Sequence, residues 1–506
     1  MGSSRIKNTI RNTFYGVGYN YFNIVGQFLV RTLLIWKLGN EYVGLNSLFS
    51  SILSVLNMTE LGVGSAMCYS LYKPIVEKDQ NMINALVNLY RRLCKLIGGM
   101  ILAFGLILTP FVDRLIKGDT PVDVNIYILY LVFLFDTVIS YFLFSYQTAV
   151  IDAFQRNDLQ SKILFFSKSM MYIAQALVVL VTCNYWYYII IMPLSTILEN
   201  IARAYLVARK FPDVCCKGEV PIEQKREIRK KVLALFGHRL NGTIINSADN
   251  IVISVFLGLG MVGIYSNYYY ILVAVSAPFG AFYGAVRSSI GNSYIQESVE
   301  KNYDLFTNVM FAVRWISAWF SICLLCLYQP FITLWVGRKY LLDISTVSLL
   351  ALMFYEWRIF ECLTVFKDAA GLWWEDRLRP YIACTANLVV NIILVNIWGI
   401  NGVVASTILT RVLISLPWIT RVLFKAVFSR NAIAFYLGYL KNFIISILVG
   451  IITFSFCSYV EMSFLGFVIK TIICICLPNA CFLIIYGRRK EFRYYVELAK
   501  SRINAN

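Results

Sequence analysis

Leu38-Gly39-Asn40-Glu41-Tyr42-Val43-Gly44-Leu45-Asn46-Ser47 returns later in the chain as Leu257-Gly258-Leu259-Gly260-Met261-Val262-Gly263-Ile264-Tyr265-Ser266. The shared pattern is LG-x-x-x-VG-[LI]-x-S, at an offset of 219 residues (257 − 38). Asn157-Asp158 recurs as Glu375-Asp376 at an offset of 218 (375 − 157). Two unrelated segments at almost one offset mark an internal duplication. Each copy of the longer segment is a glycine-bearing break between two apolar runs, and so reads as the outer turn of a helical hairpin. The chain is built twice.

The runs around these turns are membrane spans. Hydrophobic residues make up 59% of the 506 residues and charged residues only 15%, a balance that leaves no soluble reading. Fourteen stretches are long enough to cross roughly 30 Å of hydrocarbon at about 1.5 Å per residue. They are 13–36, 42–70, 89–112, 124–150, 163–183, 185–208, 232–257, 261–286, 308–334, 343–367, 380–398, 401–424, 436–459 and 463–486. The fold class is an all-α polytopic membrane protein with two pseudo-symmetric six-helix lobes and two further helices. An N-lobe occupies 1–212, a cytoplasmic linker 213–231 and a C-lobe 232–426; the last two spans and a basic tail fill 427–506. An even number of spans per half makes the halves parallel repeats about an axis along the membrane normal.

Charge orients the chain. Lys and Arg crowd the N-terminus, the tail and alternate connections, while the opposite connections hold only Lys37, Arg114, Lys117, Arg338 and Lys339. The positive-inside rule then places both termini in the cytoplasm, as an even span count requires. The net charge of +18 faces an anionic inner leaflet. Spread over many short loops, it does not form a nucleic-acid patch, so no nucleic-acid partner is expected. The first apolar segment is too long for a cleavable signal peptide and is followed at once by another.

Composition also limits the chemistry. One histidine excludes multi-His metal sites. The cysteines, including Cys323-x-x-Cys326 and Cys474-x-Cys476, fall mostly within apolar spans and read as small helix filler rather than metal ligands. There is no Walker-type phosphate loop for ATP hydrolysis. The outer loops are too short to carry a catalytic domain, so the chain is expected not to be an enzyme and to need no cofactor. Two six-helix lobes are the architecture of an alternating-access transporter.

Ionisable residues within spans are costly, on the order of 2.5–3.5 kcal/mol at mid-bilayer, and face a partner, a cavity or a snorkelling path. By position, Asp136, Glu356, Arg358 and Arg411 are deepest. Glu60, Glu199, His238, Arg239, Arg314 and Glu361 lie toward the cytoplasmic half, where local pairing is the alternative. Adding 219 to Arg31 gives Asn250, beside Asp249, so Arg31 and Asp249 sit at equivalent depth in spans 1 and 7. They are expected to face one another as an outer gate, the alternative being a partner within each lobe. Adding 220 to Asp136 gives Glu356, an acid at mid-membrane in each half. Arg358 and Arg411 offer a cationic patch for an anionic head group, since a planar guanidinium donates two parallel hydrogen bonds to a diphosphate. Asp136 or Glu356 is suited to carry a coupling H+ or Na+. Structural pairing of Glu356 or Glu361 with Arg358 is the alternative. His238, beside Arg239, is either a helix-end histidine or a gate sensitive near neutral pH. Tyr268 is a candidate for lining the cleft, and Gly280-x-x-x-Gly284 for close helix packing.

Several segments resemble a known family. Thr59-Glu60-Leu61-Gly62-Val63-Gly64-Ser65-Ala66, followed by Tyr69-Ser70-Leu71-Tyr72-Lys73-Pro74, is similar to the second span of polysaccharide exporters. So are Ala248-Asp249-Asn250-Ile251-Val252-Ile253-Ser254 and Phe366-Lys367-Asp368-Ala369-Ala370-Gly371-Leu372-Trp373-Trp374-Glu375-Asp376. Together they resemble the Wzx-like polysaccharide transporter (oligosaccharide flippase) family of the MATE-like flippase (MOP) superfamily, which includes MurJ. The resemblance implies a V-shaped, two-lobe flippase in the bacterial cytoplasmic membrane. It would move undecaprenyl-diphosphate-linked oligosaccharide outward for capsule, O-antigen or related polymers, with polysaccharide assembly enzymes as partners. A cationic cavity is expected of the family, with Arg31, Arg358 and Arg411 as its candidates here. An ion-coupled multidrug exporter of the same fold is the nearest rival, and a polysaccharide polymerase, disfavoured by the short outer loops, the next.

Overall fold

The computed structural model of the chain describes residues 2–60, 62–118 and 120–503. Within them the side chains of 2–10, 13, 59, 231, 233–239, 241, 246, 285, 288, 502 and 503 are not described, so His238 and Arg239 lie outside the described residues. Among the described residues every regular element is helical. Backbone groups in hydrocarbon must be satisfied within the segment, and helices do that residue by residue.

The helices are α1 (Gly2–Lys37), α2 (Asn40–Leu56), α3 (Val63–Glu77), α4 (Gln80–Leu108), α5 (Ile126–Phe142), α6 (Gln147–Ala153), α7 (Asn157–Thr182), α8 (Tyr185–Lys210) and α9 (Ile222–Leu257). Then follow α10 (Leu259–Gln296), α11 (Val299–Trp335), α12 (Ile344–Ala369), α13 (Arg379–Trp398), α14 (Ile400–Thr410), α15 (Leu416–Leu423), α16 (Ile433–Ser458), α17 (Phe464–Tyr486) and α18 (Lys490–Ile503). Their starts obey capping rules. Asp79, Asn125, Asn184 and Ser463 each accept a hydrogen bond from a backbone N–H of the first turn they precede. Gly39 and Gly258, the repeated glycines, hold φ of 125° and 92° between α1 and α2 and between α9 and α10, where a side chain would be strained.

Nine helices among the described residues are long and apolar enough to cross a membrane, ten if α5 and α6 form one bent span. The chain is a multi-span helical membrane protein. Two of the expected continuous spans are broken. That over 124–150 divides at a 56° bend between α5 and α6. That over 42–70 divides at a 3₁₀ turn, Asn57–Glu60, and Gly62 with φ 94°. Helix α12 falls outside the nine; Glu356, Arg358, Glu361, Lys367 and Asp368 make it polar.

Contacts group Met1–Ser266 into one unit and Asn267–Asn506 into another. The division falls inside α10 rather than in the 213–231 connection, because α9 packs along α2. Each unit contains one copy of the shorter repeat, and both copies are charge clasps. In the first, Asp158 is ion-paired with Arg156 at 2.9 Å and Arg11 at 3.2 Å. In the second, Asp376 is ion-paired with Arg379 at 2.7 Å and Lys367 at 3.1 Å. The duplicated acid thus does the same job twice: buried, it is tolerated because two cations neutralise it.

Candidate functional site

In the first unit the two copies of the glycine turn meet. A Cβ placed on Gly44 would collide with the Leu259 carbonyl, and one placed on Gly263 with Asn40. Residue 44 is the repeat mate of 263, and 40 of 259 (263 − 44 = 259 − 40 = 219). Each copy therefore offers its first-turn residue to the other copy's glycine, the reciprocity of a two-fold contact. The helices approach backbone to backbone, which only glycine permits. Gly280 and Gly284, by contrast, have nothing within 4 Å of a built Cβ among the described residues.

A polar layer flanks this contact. Asn40 Nδ2 donates to the Gly260 carbonyl at 2.9 Å, and Asn250 Nδ2 to Ser51 Oγ at 2.9 Å. Arg31 Nη2 donates to Ser266 Oγ, which in turn donates to the Gly263 carbonyl at 2.9 Å. Tyr265 Oη donates to Asp249 Oδ2 at 3.1 Å. Arg31 and its repeat mate Asn250 thus both reach across to the second helix of the other copy. The loop after α4 joins in: Lys117 Nζ donates to the Phe256 carbonyl at 2.7 Å, and Ser254 Oγ to the Leu115 carbonyl at 2.6 Å. A lysine on the last carbonyls of α9 is favoured by the helix dipole.

Elsewhere in this unit, Tyr141 Oη donates to Glu60 Oε2, and Thr196 Oγ1 to Asp136 Oδ1 at 2.6 Å. Glu199 is ion-paired with Arg203 at 2.5 Å.

In the second unit, Tyr439 Oη donates to Glu356 Oε1, while Glu356 Oε2 has no hydrogen-bond donor among the described residues. Arg358 is 2% exposed, ion-paired with Glu361 at 2.7 Å and stacked 4.2 Å over Trp357. Its Nε and Nη2 have no hydrogen-bond acceptor among the described residues. Arg411 opens a π-helical turn, Arg411–Ser415, and donates to the Met353 carbonyl at 3.4 Å. Arg314 is half-buried, its guanidinium over the Phe435 ring at 5.0 Å from the centroid. Tyr268 is fully buried, and its hydroxyl accepts from the Leu342 N–H at 3.1 Å.

One feature escaped the sequence reading. A cleft of about 740 Å³ runs along the helix from Leu413 to Ala426, walled by Ile414, Pro417, Trp418 and Val422 and carrying Arg421, Lys425 and Glu375. Trp418, Arg421 and Lys425 stand three and four residues apart, one helix face, which was the available signal. The helix is π-helical both at Arg411–Ser415 and at Phe424–Phe428; such turns displace side chains and collect at functional positions.

A family model described as polysaccharide biosynthesis protein matches residues 9–286. Among solved structures, the lipid II flippase MurJ in an inward closed conformation is similar at a TM-score of 0.66 and 15% identity, over 94% of this chain and 99% of that one. An inward-facing multidrug resistance MATE family transporter of the MOP superfamily is similar at a TM-score of 0.66 and 15% identity, over 79% and 96%. The Vibrio cholerae MATE transporter VcmN in a crystal structure gives a TM-score of 0.55 at 13% identity, over 85% and 98%. Comparison with curated proteins finds no match. At these identities the structures show the fold: it is that of the MATE transporters and MurJ.

Proposed function

We propose that this chain, which belongs to the polysaccharide biosynthesis protein family, is a flippase. It carries a polyprenyl-diphosphate-linked oligosaccharide, undecaprenyl diphosphate in bacteria, across the cytoplasmic membrane by alternating access. In this reading the chain has fourteen spans in two six-helix lobes plus a terminal pair, with both termini cytoplasmic.

The observation that carries the reading is the cleft along α15 and its flanking π-helical turns. Its wall of Leu413, Ile414, Pro417 and Trp418 suits a lipid, and Arg421 with Lys425 suits the anionic group of that lipid. Arg411, three residues before Ile414, continues the cations toward mid-membrane. Arg358, with two donors unmet, supplies a further head-group contact. The glycine contact at Gly44 and Gly263 serves as the outer gate, with Arg31 and Asp249 in its polar layer.

The test is leaflet translocation in proteoliposomes, using a fluorescent undecaprenyl-diphosphate oligosaccharide and an outer-leaflet quencher. Wild type flips; Arg358→Ala and the pair Arg421→Ala/Lys425→Ala, monodisperse in detergent, lose most of the rate. No flipping by wild type across several glycans sinks the proposal.

A second reading, an ion-coupled exporter, draws on Asp136 and Glu356, which take hydrogen bonds from Thr196 and Tyr439 hydroxyls rather than from cations. Such carboxylates suit H+ or Na+. Transport of a cationic dye driven by an imposed gradient, with no lipid flipping, would select it.

A further inference from the structure

Cys326 of α11, Cys457 of α16 and Cys474 of α17 bring their sulfurs within 4.8 Å of one another, and all three residues are buried. Their sequence spacing gives no sign of this, because the three come from different helices. Cys457 Sγ and Cys474 Sγ lie 3.9 Å apart. Two thiolates on one zinc ion, each at about 2.3 Å and at the tetrahedral angle, stand about 3.8 Å apart. One edge of the triangle already has the span of a liganded pair.

The surroundings hold this arrangement in place. Pro478, four residues after Cys474, has no N–H to give to the Cys474 carbonyl. That carbonyl instead accepts from Trp319 Nε1 at 2.9 Å and from Cys323 Sγ at 3.7 Å, so α11 fixes the backbone that carries the thiol. Lys470 lies one turn before Cys474 on the same helix face and is 5% exposed. A buried ammonium is costly without a counter-charge.

We infer that Cys326, Cys457 and Cys474 form a thiolate site for a soft closed-shell cation, zinc(II), with Lys470 balancing its charge. On binding, three S–H bonds give way to three Zn–S bonds and three protons leave to solvent. Zinc with three thiolates carries −1, which the Lys470 ammonium cancels, so a neutral assembly sits in the apolar interior. The ion fastens α16 and α17 to α11. Thiolates select zinc or copper(I) over hard cations, and the charge balance favours zinc.

The full chain, purified in detergent with reductant, incubated with zinc and desalted, should hold about one zinc per chain by mass spectrometry. Cys457→Ser and Cys474→Ser should each lose nearly all of it, whereas Cys323→Ser and Cys476→Ser should keep it. Cobalt(II) in the wild-type protein should give a sulfur-to-metal charge-transfer band, a readout that needs no variant to fold. Absence of both stoichiometric zinc and the cobalt band would overturn the site, as would zinc retained in Cys457→Ser and Cys474→Ser. A thiol titration two short of thirteen, from a Cys457–Cys474 disulfide, would overturn it too. Retention of copper(I) but never zinc would overturn the choice of ion.

Discussion

Gly44→Ala tests the proposed gate. The new Cβ would meet the Leu259 carbonyl, a backbone atom that cannot swing aside. Overpacking of this kind costs about 1–3 kcal/mol. Alanine also favours α2 as a helix by about 1 kcal/mol, but α2 is helical whether the two turns touch or not, so that gain cancels from the gating equilibrium. Only the clash remains, and it shifts the population toward the separated state by about 5- to 150-fold. Hydrogen–deuterium exchange in lipid nanodiscs reads this shift. Peptides covering 38–47 and 257–266 should both exchange faster in Gly44→Ala, because the contact is reciprocal. Gly263→Ala should give the same pair of changes, and Gly99→Ala, with nothing within 4 Å of its Cβ, neither. Faster exchange confined to the mutated segment would refute the reasoning, since a lost contact must show on both sides.

Three further outcomes follow from the packing. Asp376→Asn leaves the buried Arg379 without its carboxylate and Lys367 with Asp368 alone, and should cost about 3–5 kcal/mol, read as a lower melting midpoint in detergent. Asp158→Asn should cost less, because its partners Arg11 and Arg156 are each 30% exposed and water can reach them. Trp319→Phe leaves the Cys474 carbonyl with only the weak Cys323 thiol donor and should cost about 0.5–1.5 kcal/mol; adding Pro478→Ala, which restores an N–H in register, should recover part of it in a double-mutant cycle.

The helical membrane fold and the duplication were legible because hydropathy and an exact-offset turn act locally. Gly39 and Gly258 need a left-handed φ whatever surrounds them, so each turn announces itself in the sequence. The clasp acids were legible for the same reason: Asp158 and Asp376 sit at one offset and take near neighbours, Arg156 and Arg379. The breaks at Asn57–Glu60 and between α5 and α6 were not, because apolar composition continues through both bends. Nor was the cysteine triangle, whose members are separated by 131 and 17 residues (457 − 326 and 474 − 457) and meet only through helix packing. The hydrogen bond from Arg31 to Ser266 was not legible, since it depends on how two hairpins meet.

That meeting has the energetics of a reversible joint. The glycine approaches are symmetric under the 219-residue offset, so the backbone fixes where the hairpins touch. The side chains have diverged: Asn40 is the repeat mate of Leu259, and Arg31 that of Asn250. Hydrogen bonds from Asn40, Asn250 and Arg31 link the two hairpins, and Lys117 and Ser254 tie the loop after α4 to α9 beside them. Neutral links of this kind contribute about 0.5–1.5 kcal/mol net, and one from a charged donor about 1.5–3. Each of these links is therefore small beside the roughly 5.5 kcal/mol of differential affinity that inverts a two-state equilibrium. A ligand favouring the separated state can open such a contact; a large apolar interface in its place would have locked it.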